Sequence, residues 1–165
     1  MSIIEELKEL FIKNGWTLSL AESCTGGLAS SRITALAGVS AFFKGAVVSY
    51  SNSVKEDILG VPDELLKSAG SVSAEVAIAM AKGVKIKLKS DWAAAVTGIA
   101  GPSGGTKDKP VGTVWFAVCG PNIEWTDKKV FQGDRQQIQE GAVRYILESL
   151  KLNITTPGGV VRRTL

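Results

Sequence analysis

The sequence predicts an α/β fold, a single-domain three-layer α/β/α sandwich with a mixed β-sheet. Helical and strand patterns alternate through the first half of the chain, as in proteins with helices on both faces of a sheet. The nearly all-apolar run WAAAVTGIA is typical of a central strand covered on both faces. Two later strand patterns separated by Gly120-Pro121-Asn122 predict a β-hairpin. A chain of 165 residues suits one core, so we expect one domain over residues 1–165.

The first half of the chain is predicted to begin with a helix and a strand. Ser2 and Glu5 have the spacing of a capping box, and the helix that they open ends at Asn14-Gly15. The alternation of Trp16, Leu18 and Leu20 then predicts a strand. The next elements are a helix at about 26–36, a strand within 41–51, a helix at about 53–59 and a helical turn opened by Pro62.

The second half is predicted to contain a long helix, the central strand, the hairpin and a last helix. Ser73 is placed to cap the long helix. The strand WAAAVTGIA leads into the loop GPSGGTKDKP, and the hairpin follows. Asp134 begins the last helix, whose apolar residues recur at helical spacing. Residues 153–165 are polar and glycine-bearing, so we expect a flexible tail there.

Composition and charge exclude several classes of function. A net charge of +3 is too small to indicate nucleic-acid binding, and the run KGVKIKLK is predicted to be a solvated helix end. No apolar stretch approaches the roughly 20 residues of a membrane helix, so no membrane partner is expected. Cys24 and Cys119 are far apart and form no CxxC pair, which predicts reduced thiols in a cytoplasmic protein. The absence of histidine and of clustered cysteine makes a zinc site unexpected.

The stretch SLAESCTGG contains four groups that could attack a carbonyl, namely Ser19, Ser23, Cys24 and Thr25. Ser23 lies where a strand passes into a helix, and such a turn exposes a side-chain oxygen above the edge of a sheet. The backbone N–H groups of the SCTGG turn and of the start of the following helix would suit a developing oxyanion. The alternative interpretation is a helix N-cap followed by closely packed glycines.

A serine nucleophile in this chain needs a base other than histidine, because the sequence has none. Lys, Tyr, Glu and Asp remain as candidates. The stretch YSNSVK supplies Tyr50 and Lys55, which would emerge at the same sheet edge as Ser23 if their strands are parallel neighbours. The pKa of a lysine must fall from about 10.4 for this role, and we expect the helix dipole and partial burial to lower it. Glu22 is a further candidate, and a surface lysine is the alternative interpretation of Lys55.

Two further stretches indicate an anion-binding site. The loop TGIAGPSGGTKDKP, over residues 97–110, follows a buried strand and can present backbone N–H groups to an anion. In GDR, Asp134 is a predicted N-cap, and Arg135 could hold a phosphate or carboxylate through two parallel hydrogen bonds. The alternative interpretation of the loop is a long turn.

Four stretches in this order, AESCTGG, YSNSVK, TGIAGPSGGT..KPVGTVW and FQGDR, resemble the C-terminal domain of the competence- and damage-inducible protein CinA. The helix in GSVSAEVAIAMAKG is also similar to one of that family. The resemblance covers about residues 3–152. The same domain is known alone as nicotinamide-nucleotide amidohydrolase, so the resemblance implies an enzyme.

The resemblance implies hydrolysis of the carboxamide of nicotinamide mononucleotide to nicotinic acid mononucleotide and ammonia, in pyridine nucleotide recycling. It implies no metal and no cofactor, a small-molecule nucleotide substrate and a homodimer. The catalytic set that it implies is Ser23, Tyr50 and Lys55, and the substrate contacts are Thr25, Gly26, Thr97, Gly98 and Arg135.

Two other functions remain open at this point. The first is a nucleotide-binding regulatory domain without catalysis, which would keep the glycine-rich loop and Arg135 but would need no paired Ser23 and Lys55. The second is an amidase for another small amide. Ammonia release from a panel of amides separates these functions.

Overall fold

The computed structural model describes residues 1–156 and is built on a five-stranded mixed sheet with the strand order β2-β1-β3-β4-β5. Strand β1 is parallel to both β2 and β3, whereas β4 is antiparallel to β3 and to β5. The strands are β1 (Leu18–Glu22), β2 (Phe43–Val48), β3 (Trp92–Gly98), β4 (Thr113–Gly120) and β5 (Ile123–Val130). The α-helices are α1 (Ile3–Asn14), α2 (Leu28–Thr34), α3 (Asn52–Asp57), α4 (Asp63–Ala69), α5 (Ala74–Leu88) and α6 (Arg135–Thr155).

Helices cover both faces of the sheet, which confirms the predicted three-layer fold. Helix α5 packs across β1, β3 and β4 on one face, while α6 packs on β3 and β4 on the other face with α1 and α2 beside it. The buried apolar residues accordingly form two clusters. One contains residues of α1, α2 and α6, and the other contains residues of α5.

The central strand β3 supplies both clusters from alternate residues. Ala93 and Ala95 belong to the cluster under α5, whereas Ala94 and Val96 belong to the cluster under α6. Side chains of a strand alternate between faces, so a continuous apolar run is what burial on both faces requires. The hairpin of β4 and β5 is also confirmed.

The first strand begins later in the structure than the sequence predicts. The backbone N–H of Trp16 donates to the Phe11 carbonyl, so Trp16 belongs to the turn that ends α1 and not to the strand. The strand begins at Leu18, whose N–H donates to the carbonyl of Phe42, the residue just before β2. Alternation of apolar residues therefore predicts the strand correctly but not its boundary.

The last helix runs further than predicted, so the expected tail does not begin at residue 153. Helix α6 continues to Thr155 because Asn153 is buried and its Nδ2 donates to the Ser149 carbonyl at 2.8 Å. The rest of the expected tail, residues 157–165, lies outside the described residues.

The parallel pairing of β1, β2 and β3 brings their carboxyl ends to one edge of the sheet. Ser23 follows β1, Tyr50 and Lys55 follow β2, and Thr97 lies near the end of β3. The condition under which these residues would meet is therefore fulfilled. The chain adds β2 on one side of β1 and then β3 on the other side, so the order of the strands switches at β1. Ligands commonly bind at such a switch point of an open α/β sheet.

Candidate active site

A cavity of about 380 Å³ opens at this edge of the sheet. Its volume falls within the range of small-molecule sites. Two basic side chains line the cavity, Lys55 and Arg135. Among the described residues, no carboxylate lines it. The lining residues are Ser23, Cys24, Tyr50, Asn52, Lys55, Ser71, Val72, Thr97, Gly98, Ile99, Ala100, Gly101, Ser103, Gly104 and Arg135.

Ser23 and Lys55 contact each other in the wall of this cavity. The Lys55 Nζ donates to the Ser23 Oγ at 3.1 Å and to the Ser49 carbonyl at 2.7 Å. The backbone of Ser23 is held at the end of β1 because its N–H donates to the Val96 carbonyl on β3. A neutral Lys55 amine could accept the Ser23 proton through the same contact, which is the geometry of a nucleophile and its base.

Burial lowers the pKa of Lys55 below its ordinary value, because the charged form loses its hydration. Lys55 lies on the short helix α3, and the residue is only 1% exposed. Such burial is unusual for a lysine. The described residues provide no ion pair with a carboxylate for its amine. Burial, one of the two causes expected from the sequence, is therefore the main cause of the lowered pKa.

The Glu22 carboxylate holds the turn that carries Ser23. It is 1% exposed and accepts hydrogen bonds from the backbone N–H groups of Gly27, Ala29 and Ser30. The hydroxyls of Thr25 and Ser30 also donate to it. Glu22 therefore takes the place of a side-chain cap for α2, whose N-cap residue is a glycine. A carboxylate with these partners is a structural acceptor and not a base for Ser23.

This arrangement narrows the predicted oxyanion site. The sequence suggested the N–H groups of the SCTGG turn and of the start of α2, and those of Gly27, Ala29 and Ser30 bond to Glu22. The N–H groups of Cys24 and Thr25 in the turn before the helix donate to no other residue of the described chain. These two groups follow the nucleophile directly, and they are the candidate donors to a developing oxyanion.

Replacing Glu22 by Ala is expected to unfold the protein at a markedly lower temperature. The variant leaves buried N–H and hydroxyl donors without an acceptor, at a cost of about 3 kcal/mol or more. Thermal and urea unfolding measure the loss. An exposed acid in the first turn of α4, Glu64, provides the control as Glu64→Ala, which should stay within about 0.5 kcal/mol of the wild type. Equal stability of the two variants would contradict the role of Glu22.

Tyr50 and Arg135 form a bridge at the opening of the cavity. The Arg135 Nη2 donates to the Tyr50 hydroxyl at 2.7 Å, and its Nη1 donates to the Gly101 carbonyl at 2.6 Å. Tyr50 is 60% exposed and has no hydrogen bond to Ser23 or Lys55. The structure thus brings Tyr50 to the cavity but not into contact with the other two predicted catalytic residues.

The predicted substrate contacts divide into two groups. Thr97 and Gly98 line the cavity, and the buried Thr97 hydroxyl donates to the Ser71 carbonyl at 2.7 Å. A side chain at Gly98 would be 2.7 Å from the Thr113 carbonyl, so the glycine allows β3 to approach β4. Thr25 and Gly26 are not among the residues that line the cavity, and the Thr25 hydroxyl donates to Glu22. A substrate contact of these two residues would therefore have to use their backbone groups, and it stays a prediction.

A family model of the CinA C-terminal domain matches residues 1–154. The chain belongs to the CinA C-terminal domain family. A CinA-like protein of Prochlorococcus marinus subsp. pastoris is 50% identical over 149 residues, 88% of this chain and 34% of that protein. A CinA-like protein of Geotalea daltonii is 57% identical over 130 residues, 79% of this chain and 32% of that protein. The chain spans about a third of the length of these relatives.

Solved structures of CinA relatives have the same fold. The crystal structure of the competence damage-inducible protein A from Klebsiella pneumoniae subsp. pneumoniae gives a TM-score of 0.89 at 36% identity, covering 92% of this chain and 94% of that chain. The competence/damage inducible protein of Agrobacterium tumefaciens gives a TM-score of 0.85 at 39% identity, covering 92% and 96%. The family expected from the sequence is confirmed.

The CinA C-terminal domain contains site residues that the sequence did not single out. Asn52, Ser71 and Ser103 line the cavity. Asn52 and Ser103 lie within stretches that the sequence marked as functional, whereas Ser71 lies in the stretch that resembles a helix of the family. Gln139 on α6 donates from its Nε2 to the Cys24 carbonyl at 2.8 Å. No local pattern links a glutamine to a turn 115 positions away, so this contact needed the structure.

The rival nucleophile Cys24 is poorly suited to attack. Its side chain is 5% exposed and packs in the apolar cluster under α6. Burial raises the pKa of the Cys24 thiol to about 12, so the reactive thiolate is scarce near neutral pH. Ser23, with the Lys55 amine beside it, is the better placed of the two.

Neither a metal centre nor a membrane span is evident in the described part of this CinA domain. Residues 1–156 contain no group of three or more Cys, Asp or Glu side chains arranged to hold a metal ion. Within the same residues, none of the helices combines the length and the apolar character needed to cross a bilayer.

Proposed function

We propose that this CinA C-terminal domain hydrolyses the carboxamide of nicotinamide mononucleotide to nicotinic acid mononucleotide and ammonia, as an amidase of pyridine nucleotide salvage. One observation carries the proposal: the buried Lys55 amine lies 3.1 Å from the Ser23 hydroxyl in a cavity wall. A buried lysine next to a serine is costly for stability, and acyl transfer gives this arrangement a use.

The chemistry begins with attack of the Ser23 Oγ on the amide carbon. Neutral Lys55 takes the serine proton as the C–O bond forms and the carbonyl electron pair moves to the oxygen. The N–H groups of Cys24 and Thr25 then stabilise the oxyanion. A lowered pKa of Lys55 makes the neutral amine available for the first step.

The tetrahedral intermediate breaks down when the C–N bond cleaves and the ammonia takes a proton from Lys55. Water then attacks the acyl-enzyme, Lys55 accepts its proton and returns it to the Ser23 Oγ, and the carboxylate product leaves. Tyr50 contributes by positioning Arg135, to which it is hydrogen bonded. These steps need no metal ion.

The charges of the cavity favour an anionic substrate. Arg135 uses two of its N–H groups for Tyr50 and Gly101, so that three of the five donors of a guanidinium remain for a phosphate. The glycine-rich loop that follows β3 borders the same cavity and adds backbone groups. A mononucleotide has the required parts, with a phosphate for Arg135 and a carboxamide for Ser23.

The test is ammonia release from a panel of amides that includes nicotinamide mononucleotide, nicotinamide riboside and nicotinamide. Release from the mononucleotide above all others supports the proposal. Release from a different amide indicates another amidase, and binding of the nucleotide without release indicates a regulatory domain. We further propose that the domain acts as a cytoplasmic homodimer without nucleic-acid or membrane partners.

Replacing Arg135 by Ala is expected to weaken binding of nicotinamide mononucleotide about ten- to a hundred-fold, because one charge-assisted pair with the phosphate is lost. Binding of nicotinamide riboside, which has no phosphate, should change much less. Calorimetry in a Ser23→Ala background measures both affinities without turnover.

Tyr50→Phe is the matched control for this experiment, because it breaks the hydrogen bond to Arg135 and leaves the guanidinium charge. It should affect mononucleotide binding less than Arg135→Ala does. Equal losses for mononucleotide and riboside in Arg135→Ala would place Arg135 away from the phosphate.

A further inference from the structure

Two peptide units carry the candidate oxyanion donors, and each has its carbonyl on the opposite side. The Cys24 N–H belongs to the unit that contains the Ser23 carbonyl, and the Thr25 N–H to the unit that contains the Cys24 carbonyl. A trans peptide is planar, with its C=O and N–H pointing in opposite directions. Whatever holds the carbonyl therefore fixes the direction of the N–H.

The two carbonyls are held in different ways. The Ser23 carbonyl accepts a hydrogen bond from the Gly26 N–H at 3.0 Å, so the turn itself fixes the first unit. The Cys24 carbonyl accepts from the Gln139 Nε2 at 2.8 Å, and Gln139 belongs to α6. The direction of the Thr25 N–H thus depends on a side chain from a distant part of the chain.

Gln139 contacts the nucleophile turn without lining the cavity. Its half-buried amide reaches the Cys24 carbonyl from α6. It is four residues after Arg135 on α6, and residues at this spacing share a helix face. The same face of α6 thereby holds the opening of the cavity through Arg135 and the nucleophile turn through Gln139.

We infer that Gln139 is a positioning residue for the oxyanion site, which aims the Thr25 N–H at the substrate oxygen by holding the Cys24 carbonyl. The inference rests on the proposed function. A carbonyl that accepts a hydrogen bond also polarises its peptide unit, which makes the attached N–H a stronger donor. Gln139 therefore both orients and strengthens this donor.

Gln139→Met is the variant that tests the inference, because methionine keeps the length of the side chain and lacks the N–H donor. Loss of an oxyanion donor lowers kcat about 10²–10³-fold in enzymes. Since the Thr25 N–H is here released and not removed, we expect a fall in kcat of about ten- to a hundred-fold, with KM within about two-fold of the wild type. Gln136→Met, the same change on an exposed residue of α6, should leave both constants unchanged.

A second measurement does not depend on the natural substrate. A serine-reactive fluorophosphonate forms a bond between the Ser23 Oγ and phosphorus and expels fluoride, and its phosphoryl oxygen requires the same donors. Intact-mass spectrometry gives the rate of this modification. We expect Gln139→Met to slow it by the same factor as kcat, with a melting temperature near that of Gln136→Met.

The outcomes separate the inference from the proposed function. Labelling of Gln139→Met at the wild-type rate would overturn the inference. Slow labelling of this variant, beside a wild type that is labelled but releases no ammonia from nicotinamide mononucleotide, would support the inference and overturn the substrate. A wild type that is not labelled at Ser23 would overturn both. A rise in KM with unchanged kcat would also contradict the role in the transition state.

Discussion

Lys55→Arg is expected to lose turnover by at least ~10²-fold, the usual contribution of a general base. The guanidinium keeps the positive charge but stays protonated at any working pH, so it cannot accept the Ser23 proton. A lysine with a purely electrostatic role would tolerate the change. Steady-state ammonia release measures kcat, and the melting temperature distinguishes lost chemistry from lost structure.

The burial of Lys55 makes a second variant necessary, because an arginine is larger and the side chain is only 1% exposed. Lys55→Met fits the site by length, and we expect the same loss of turnover. Near-normal rates in a folded Lys55→Arg would mean that Lys55 is not the base. Tyr50 would then be the next candidate, since Glu22 is occupied as an acceptor of five hydrogen bonds.

The lowered pKa of Lys55 also sets two pH dependences. Activity of the wild type should rise as pH passes upward through this pKa, because the neutral amine is the active form. Between this pKa and the unfolded value of about 10.4, the unfolded state binds more protons than the folded one. The free energy of unfolding should therefore rise with pH in this range, and Lys55→Met should lack that contribution.

Ser23→Ala is expected to abolish turnover, with a loss on the order of 10⁴-fold or more, as for other covalent nucleophiles. Cys24→Ala should keep most of the activity, because the thiol packs in the core and its pKa is raised to about 12. Only the wild type and Cys24→Ala should accumulate an acyl-enzyme that rapid-quench mass spectrometry detects.

The contrast between these neighbouring variants decides the nucleophile. A reversed pattern, with activity kept in Ser23→Ala and lost in Cys24→Ala, would overturn the serine assignment. Cys24→Ala also removes a buried sulfur and should cost about 1 kcal/mol of stability, so its activity is compared at a temperature well below its melting point.

The meeting of Ser23 and Lys55 was predictable from the sequence because it depends on simple rules. Apolar runs predict strands, and the carboxyl ends of parallel neighbours meet at one edge of the sheet. Because the sequence has no histidine, lysine is one of the few side chains left that can act as the base for Ser23. Neither step requires knowledge of individual side-chain contacts.

The functions of Glu22 and Gln139 were less accessible. Helix α2 begins after a glycine that offers no side-chain cap, and this was the local sign that some other acceptor must hold its N–H groups. Nothing in the sequence shows that the acceptor is a buried carboxylate at the end of β1. The contact of Gln139 is harder still, because it depends on how α6 packs over the sheet.

The contacts of α6 determine when the site is completed during synthesis. The chain emerges from the ribosome with its amino-terminal part first. Ser23, Tyr50 and Lys55 all precede β3, whereas Arg135 and Gln139 come after β5. A nascent chain can thus contain Ser23, Tyr50 and Lys55 while its Thr25 peptide unit is not yet anchored and its cavity opening is not yet bridged. Under the proposed function, we expect reactivity to be acquired only when α6 has packed on the sheet.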